Sequence, residues 1–63
     1  MPDITWENPF CDEGSSCFRL GTDVEGNGYI AVAGREDHYL TDSLEALRTL
    51  ITDIKSGKAD HLL

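Results

Sequence analysis

The stretch Asp23–Ile30, DVEGNGYI, has two readings, and each builds a different fold. As a calcium loop, Asp23, Glu25 and Asn27 take ligand positions one, three and five of an EF-hand. Gly28 makes the turn at six, Tyr29 offers its carbonyl at seven, and Ile30 is the apolar eighth residue. As a hairpin tip, the same glycines reverse the chain between two strands. The calcium reading fails in its second half. Position nine is Ala31, and Gly34 stands at position twelve, where a bidentate glutamate belongs. An EF-hand loop also needs a helix on either side, whereas CFRLGT (17–22) and YIAVA (29–33) read as strands. DVEGNGYI is therefore read as a hairpin.

Its register follows from the apolar pattern. A two-residue loop at Asn27-Gly28 would pair Val24 with Ala31 and set Ile30 beside Glu25. A three-residue loop, Gly26 to Gly28, pairs Glu25 with Tyr29 and Val24 with Ile30, and sets Val32 beside Thr22. The second register gathers Phe18, Leu20, Val24, Ile30 and Val32 on one apolar face. A slip of one residue moves every side chain to the opposite face, so the three-residue loop is expected.

The remaining elements extend outward from this hairpin. DITW suggests a strand over about 3–6, with Ile4 and Trp6 on one side, and ENPFCDEGSS breaks it with Pro9, Gly14 and the serines. The hairpin strands are expected at about 17–24 and 29–33. GREDH is a polar turn into a short strand, HYL (38–40). In DSLEALRTLITDIKSG, Leu44, Leu47, Leu50, Ile51 and Ile54 form one helical face. Asp42 or Ser43 caps the start, Lys55 complements the C-terminal dipole, and Gly57 ends the helix. The helix is expected over about 43–56, its apolar stripe packed as core, with a flexible tail at 58–63. The fold expected is α+β: a three- to four-stranded antiparallel meander covered by one C-terminal helix, in a single domain spanning 1–63.

Sixty-three residues bury only about 60% of the surface that the unfolded chain exposes. Stability at this size leans on a staple, a metal or a partner, which leaves room for a homodimer. A net charge of −7 argues against direct nucleic-acid binding and suits docking on a basic partner. The acid gathers early: Asp3, Glu7, Asp12, Glu13, Asp23 and Glu25 have Arg19 as the single cation among them. No apolar run approaches the roughly 20 residues of a membrane span, and MPDITWENPF has no secretory pattern, so a cytoplasmic protein is expected.

Little in the chain points to catalysis. A Cys17–His38 dyad can be drawn, but Cys17 opens an apolar strand and only Arg19 stands near it to stabilise a thiolate. Asp12-Glu13 and Glu36-Asp37 are adjacent acids in turns, where solvated charge is the ordinary role. No phosphate-binding or dinucleotide fingerprint is present. Cys11, Cys17, His38 and His61 number four, yet their spacing fits no zinc knuckle or finger. Cys11 and Cys17 would close a disulfide in an oxidising compartment and remain thiols in a reducing one. The simpler reading packs Cys17 as a small buried apolar residue. No enzyme activity, cofactor or metal is expected. The rival classes are a small metal-binding module, with calcium at 23–30 or zinc on the Cys/His set, and a thiol-redox protein using Cys11 and Cys17.

Taken in order, these features resemble a family of small acidic actinobacterial proteins, the domain of unknown function numbered three-nine-seven. Trp6 opens the pattern, the loop through DEGSS follows, then CFRLG, YIAVA, and the helix from Leu44 through IKSG. The resemblance covers nearly the whole chain. It departs from the family at ENP, where lysine-serine-serine is usual, at the loosely matching GRED, and at Leu47, where a tryptophan is typical. The resemblance implies a non-enzymatic partner of helix-turn-helix regulators, sometimes antitoxin-like. For such a role the polar contacts to test are Asp12, Glu13, Arg35, Glu36 and Asp37, with Trp6 as an anchor.

Overall fold

Leu20 and Ile30 face each other across a hairpin, and the pairing that joins them organises the rest of the chain. The computed structural model describes residues 3–10 and 17–63. Its elements follow in order: β1 (Thr5–Trp6), β2 (Phe18–Thr22), β3 (Asn27–Val32), β4 (Leu40–Ser43) and α1 (Leu44–Lys55). The strands form one antiparallel sheet in sequence order, and a 3-10 turn, Asp60–Leu62, follows the helix. This is the α+β meander with a C-terminal helix that the sequence leads one to expect.

The hairpin register differs from expectation. Thr22 pairs with Gly28, so the loop runs from Asp23 to Asn27 rather than from Gly26 to Gly28. The Asp23 side chain is the cause. Its Oδ1 accepts from the backbone N–H groups of Glu25 and Asn27 at 2.9 and 3.0 Å. Its Oδ2 accepts from the Asn27 side-chain amide at 3.0 Å and the Tyr29 hydroxyl at 2.6 Å. Local bonds of this kind offer the backbone an alternative to the ladder and hold a wider loop. Val24 is left at the tip, 99% exposed, instead of buried opposite Ile30. Both registers set even-numbered residues opposite even-numbered ones, so Phe18, Leu20, Ile30 and Val32 still share a face.

The outer strands are also shifted. β1 is shorter than expected, and the last strand starts at Leu40 rather than at His38. Turn bonds from Arg35 N–H to the Val32 carbonyl and from His38 N–H to the Arg35 carbonyl occupy the intervening backbone. Thr41 then donates its hydroxyl to the Gly28 carbonyl at 3.1 Å, which fixes β4 against β3.

Side-chain and backbone caps set the helix ends. Ser43 is the N-cap, its Oγ accepting from Ala46 N–H at 3.1 Å, while Asp42 Oδ1 accepts from Ser43 N–H. At the other end Gly57 takes φ +95°. Bonds from Gly57 N–H to the Ile54 carbonyl and from Lys58 N–H to the Asp53 carbonyl complete a Schellman motif. The helix settles on the even-numbered face at Gly28. A Cβ there would lie 2.8 Å from Leu47 Cβ, so the absent side chain is what lets α1 approach β3.

The expected core stripe is only partly buried. Leu47 is 7% exposed, but Leu50, Ile51 and Ile54 are 41, 46 and 52% exposed. The reason is geometric: α1 rests on β3 and β4 and stands away from β2. On the opposite, odd-numbered face, Tyr29 and Ala31 are each 4% exposed. Trp6, Tyr29 and Tyr39 meet there edge to face, with ring centroids 5.0 to 6.5 Å apart. Gly21 makes room for them, since a Cβ there would lie 2.8 Å from both Ile4 Cγ2 and Trp6 Cε3. Cys17 is buried as anticipated, but in a disulfide rather than as a thiol, the covalent staple that so small a core favours. Cys11 lies outside the described residues.

Candidate functional site

Three groups of residues could carry function: the Asp23 loop, the aromatic face of the sheet, and the gap between α1 and β2. The Asp23 loop is the least available to a ligand. Both carboxylate oxygens are taken by four donors, and the Tyr29 hydroxyl and Asn27 amide hold Asp23 at about 2, below its ordinary 3.8. Tyr29, the donor, is pushed above its ordinary 10.0 by the same bond. The segment that imitates a calcium loop thus spends its oxygens on its own backbone and on a tyrosine. Among the described residues, no three His, Cys, Asp or Glu side chains gather as a metal would require. His38 is 80% exposed in the β3–β4 turn, His61 lies exposed in the terminal 3-10 turn, and Cys17 is disulfide-bonded. The Cys17–His38 dyad therefore has no thiol to activate.

The aromatic face brings several of the sequence-predicted contacts together. Trp6 is half-buried, paired with Gly21 and resting against Tyr29 and Tyr39. Arg19 links its neighbourhood to the β3–β4 turn: Nε donates to the Glu7 carbonyl at 2.9 Å, and Nη1 donates to Glu36 Oε2 at 2.9 Å. This bond holds the Glu36 carboxyl below its ordinary value, and Glu36 stays charged at any physiological pH. Asp37 and Arg35 project from the same turn, both exposed, and the Asp37 side chain lies 3.4 Å from His38 Nε2. Asp12 and Glu13 lie outside the described residues. The arrangement offers a half-buried aromatic edge beside fixed and free acids, with no nucleophile held by a base.

The gap between α1 and β2 was not legible as a site. It is an apolar groove of about 500 Å³, floored by Leu20 and Ile30 and walled by Phe10 and Phe18 on one side and Leu50, Ile51 and Ile54 on the other. Phe10 is held there by its N–H bond to the Phe18 carbonyl at 2.9 Å, yet both rings are 62% exposed. The apolar period of the helix announced these residues, but as core. A second hollow, about 280 Å³, continues along β4 past Leu40 and Ala46. No helix among the described residues is long and apolar enough to cross a membrane.

No protein-family model matches the chain, and neither a curated protein nor a solved structure does.

Proposed function

We propose that this chain is a non-enzymatic regulatory binding protein that docks on a helix-turn-helix transcription factor and modulates its DNA binding, as an accessory or antitoxin-like regulator. The observation that carries the reading is the edge of the aromatic face, where Trp6 stands near the Arg19–Glu36 pair and the exposed Asp37. A DNA-binding domain presents a basic surface to phosphates. An acidic protein of net charge −7 is complementary to that surface and competes with DNA for it. Trp6 supplies the aromatic anchor that such contacts favour, and Glu36, already oriented by Arg19, loses little freedom on binding. The sequence resemblance to the three-nine-seven family points to the same partner class.

The test is co-purification of the tagged chain, at low ionic strength, with the helix-turn-helix regulators of its source organism. Association that weakens when Glu36 and Asp37 are replaced by Gln and Asn supports docking through this face. Absence of any complex at low salt rejects the reading.

A further inference from the structure

We propose that the apolar groove between α1 and the sheet is the interface between two copies of this chain. The inference uses the face opposite to the one proposed for the regulator and stands without it.

Three observations lead to a second copy. The first is area. The accessible surface is 5187 Å², against about 4,000 Å² from the mass scaling for a compact 7.0 kDa monomer. The surplus, roughly 1,100 Å² over the whole chain, is comparable with the ~800 Å² that each partner gives to a standard interface, and Phe10, Phe18, Leu50, Ile51 and Ile54, 41 to 62% exposed around the groove, contribute to it. The radius of gyration agrees, at 12.3 Å against about 10.6 Å for a compact chain of this length. The second is shape. A ridge, Leu50, Ile51 and Ile54, lies directly beside a trough lined by Phe18, Leu20 and Ile30. A two-fold axis places the ridge of each copy in the trough of the other, which is the self-complementarity an isologous contact needs.

The third is local charge, and it selects a second copy over a strongly basic partner. The segment from Leu44 to Lys58 carries Arg48, Lys55 and Lys58 against Glu45 and Asp53. It is therefore slightly cationic in a chain whose net charge is −7. A strongly basic helix would find no attraction along α1, whereas a second copy brings Glu45 and Asp53 as well as Arg48, Lys55 and Lys58, so charges of both signs meet across a two-fold contact. The ten remaining acids lie outside this segment, so repulsion between copies acts mainly at a distance, where salt screens it.

The experiment is sedimentation velocity on the full chain from about 5 to about 500 μM, the range in which modest interfaces dissociate. The mean mass should rise from 7.0 kDa toward twice that value, and added salt should favour the heavier species. Ile54→Asp should raise the dissociation constant at least about 100-fold, because each copy would bury an unpaired carboxylate. Val24→Asp adds the same charge at the 99% exposed hairpin tip and should leave association unchanged. Dilution of the unmodified chain, followed by amide and methyl NMR shifts, needs no variant and should move Phe18, Leu50, Ile51 and Ile54. A monomer at the highest concentration, or dilution shifts confined to other surfaces, overturns the proposal. Regulator docking weakens with salt while self-association strengthens, so loss of one leaves the other readable.

Discussion

Replacing Gly28 by alanine puts one methyl group where the fold has no room for it. Gly28 pairs with Thr22 on one side and Asp42 on the other, in the strand that α1 covers. The new Cβ would lie 2.8 Å from Leu47 Cβ, 3.0 Å from Cδ2 and 3.4 Å from Cγ, against roughly 3.5–4.0 Å for a relaxed carbon contact. The nearest atom is a Cβ, fixed to the helix backbone, so rotation of Leu47 cannot relieve the clash. The helix must retreat by about 1 Å and uncover Leu47, its one buried side chain. Overpacking of this kind costs about 1–3 kcal/mol. Removing a glycine from a strand returns about 0.5–1 kcal/mol, so at the middle of these ranges the net loss is about 1 kcal/mol. Total stability for 63 residues is about 3–9 kcal/mol, so the loss is a sizeable fraction of it. At about 4–8 °C per kcal/mol, Tm should fall by roughly 4–8 °C. The assay is thermal unfolding by far-ultraviolet circular dichroism at one fixed protein concentration, because self-association would otherwise move Tm. An unchanged or higher Tm would refute the seating of α1 on β3 at this point.

Three further outcomes follow from named contacts. Ser43→Ala removes the acceptor for Ala46 N–H and should cost about 1 kcal/mol, read as a lower Tm, while Ser43→Gly should cost less. Asp23 has a depressed folded value of about 2, so its stabilisation is complete above its ordinary 3.8 and is lost as pH falls through about 2. Asp23→Asn should therefore flatten the decline of Tm with acid between those values, and an unaltered slope would show that the loop does not hold this carboxylate. Tyr29 donates to Asp23 and is raised above 10.0, so ultraviolet titration should show a phenol ionising later than an ordinary tyrosine. The stabilisation it gives is present below pH 10 and lost above, and Asp23→Asn should bring that ionisation back down.

The sequence was most informative where local rules act alone. The helix ends were readable because Ser43 and Gly57 do their work within a few residues of themselves. The shared face of Phe18, Leu20, Ile30 and Val32 was readable because strand parity survives an even shift in register. Loop length was not, because Val24 looks like a strand residue until the four bonds to the Asp23 carboxylate are counted. The strand Leu40–Ser43 was hidden by polar residues that read as a helix start, although Thr41 uses its hydroxyl to join the sheet. The aromatic cluster draws Trp6, Tyr29 and Tyr39 from three separate segments, and no local pattern announces it. The groove was invisible for a different reason. Period tells which side of a helix is apolar, but not how much sheet lies beneath it.

Of the predicted contact residues, Trp6 and Glu36 were legible as candidates, but the Arg19 bridge between their neighbourhoods was not. Arg19 and Glu36 sit seventeen residues apart, and only the β2–β3 pairing brings their segments together. That bridge ties the Glu36 carboxylate to the backbone of Glu7, next to Trp6, and so fixes one acid on the face the regulator reading depends on.

The most direct measurement is a calorimetric titration of the chain into the helix-turn-helix regulator that co-purifies with it, repeated over a series of salt concentrations. Docking through the acidic edge of the aromatic face predicts saturable binding that weakens steadily with salt and is reduced by Glu36→Gln, Asp37→Asn and Trp6→Ala, while Val24→Asp leaves it intact. No binding heat at low salt, or binding indifferent to those three substitutions, would contradict it.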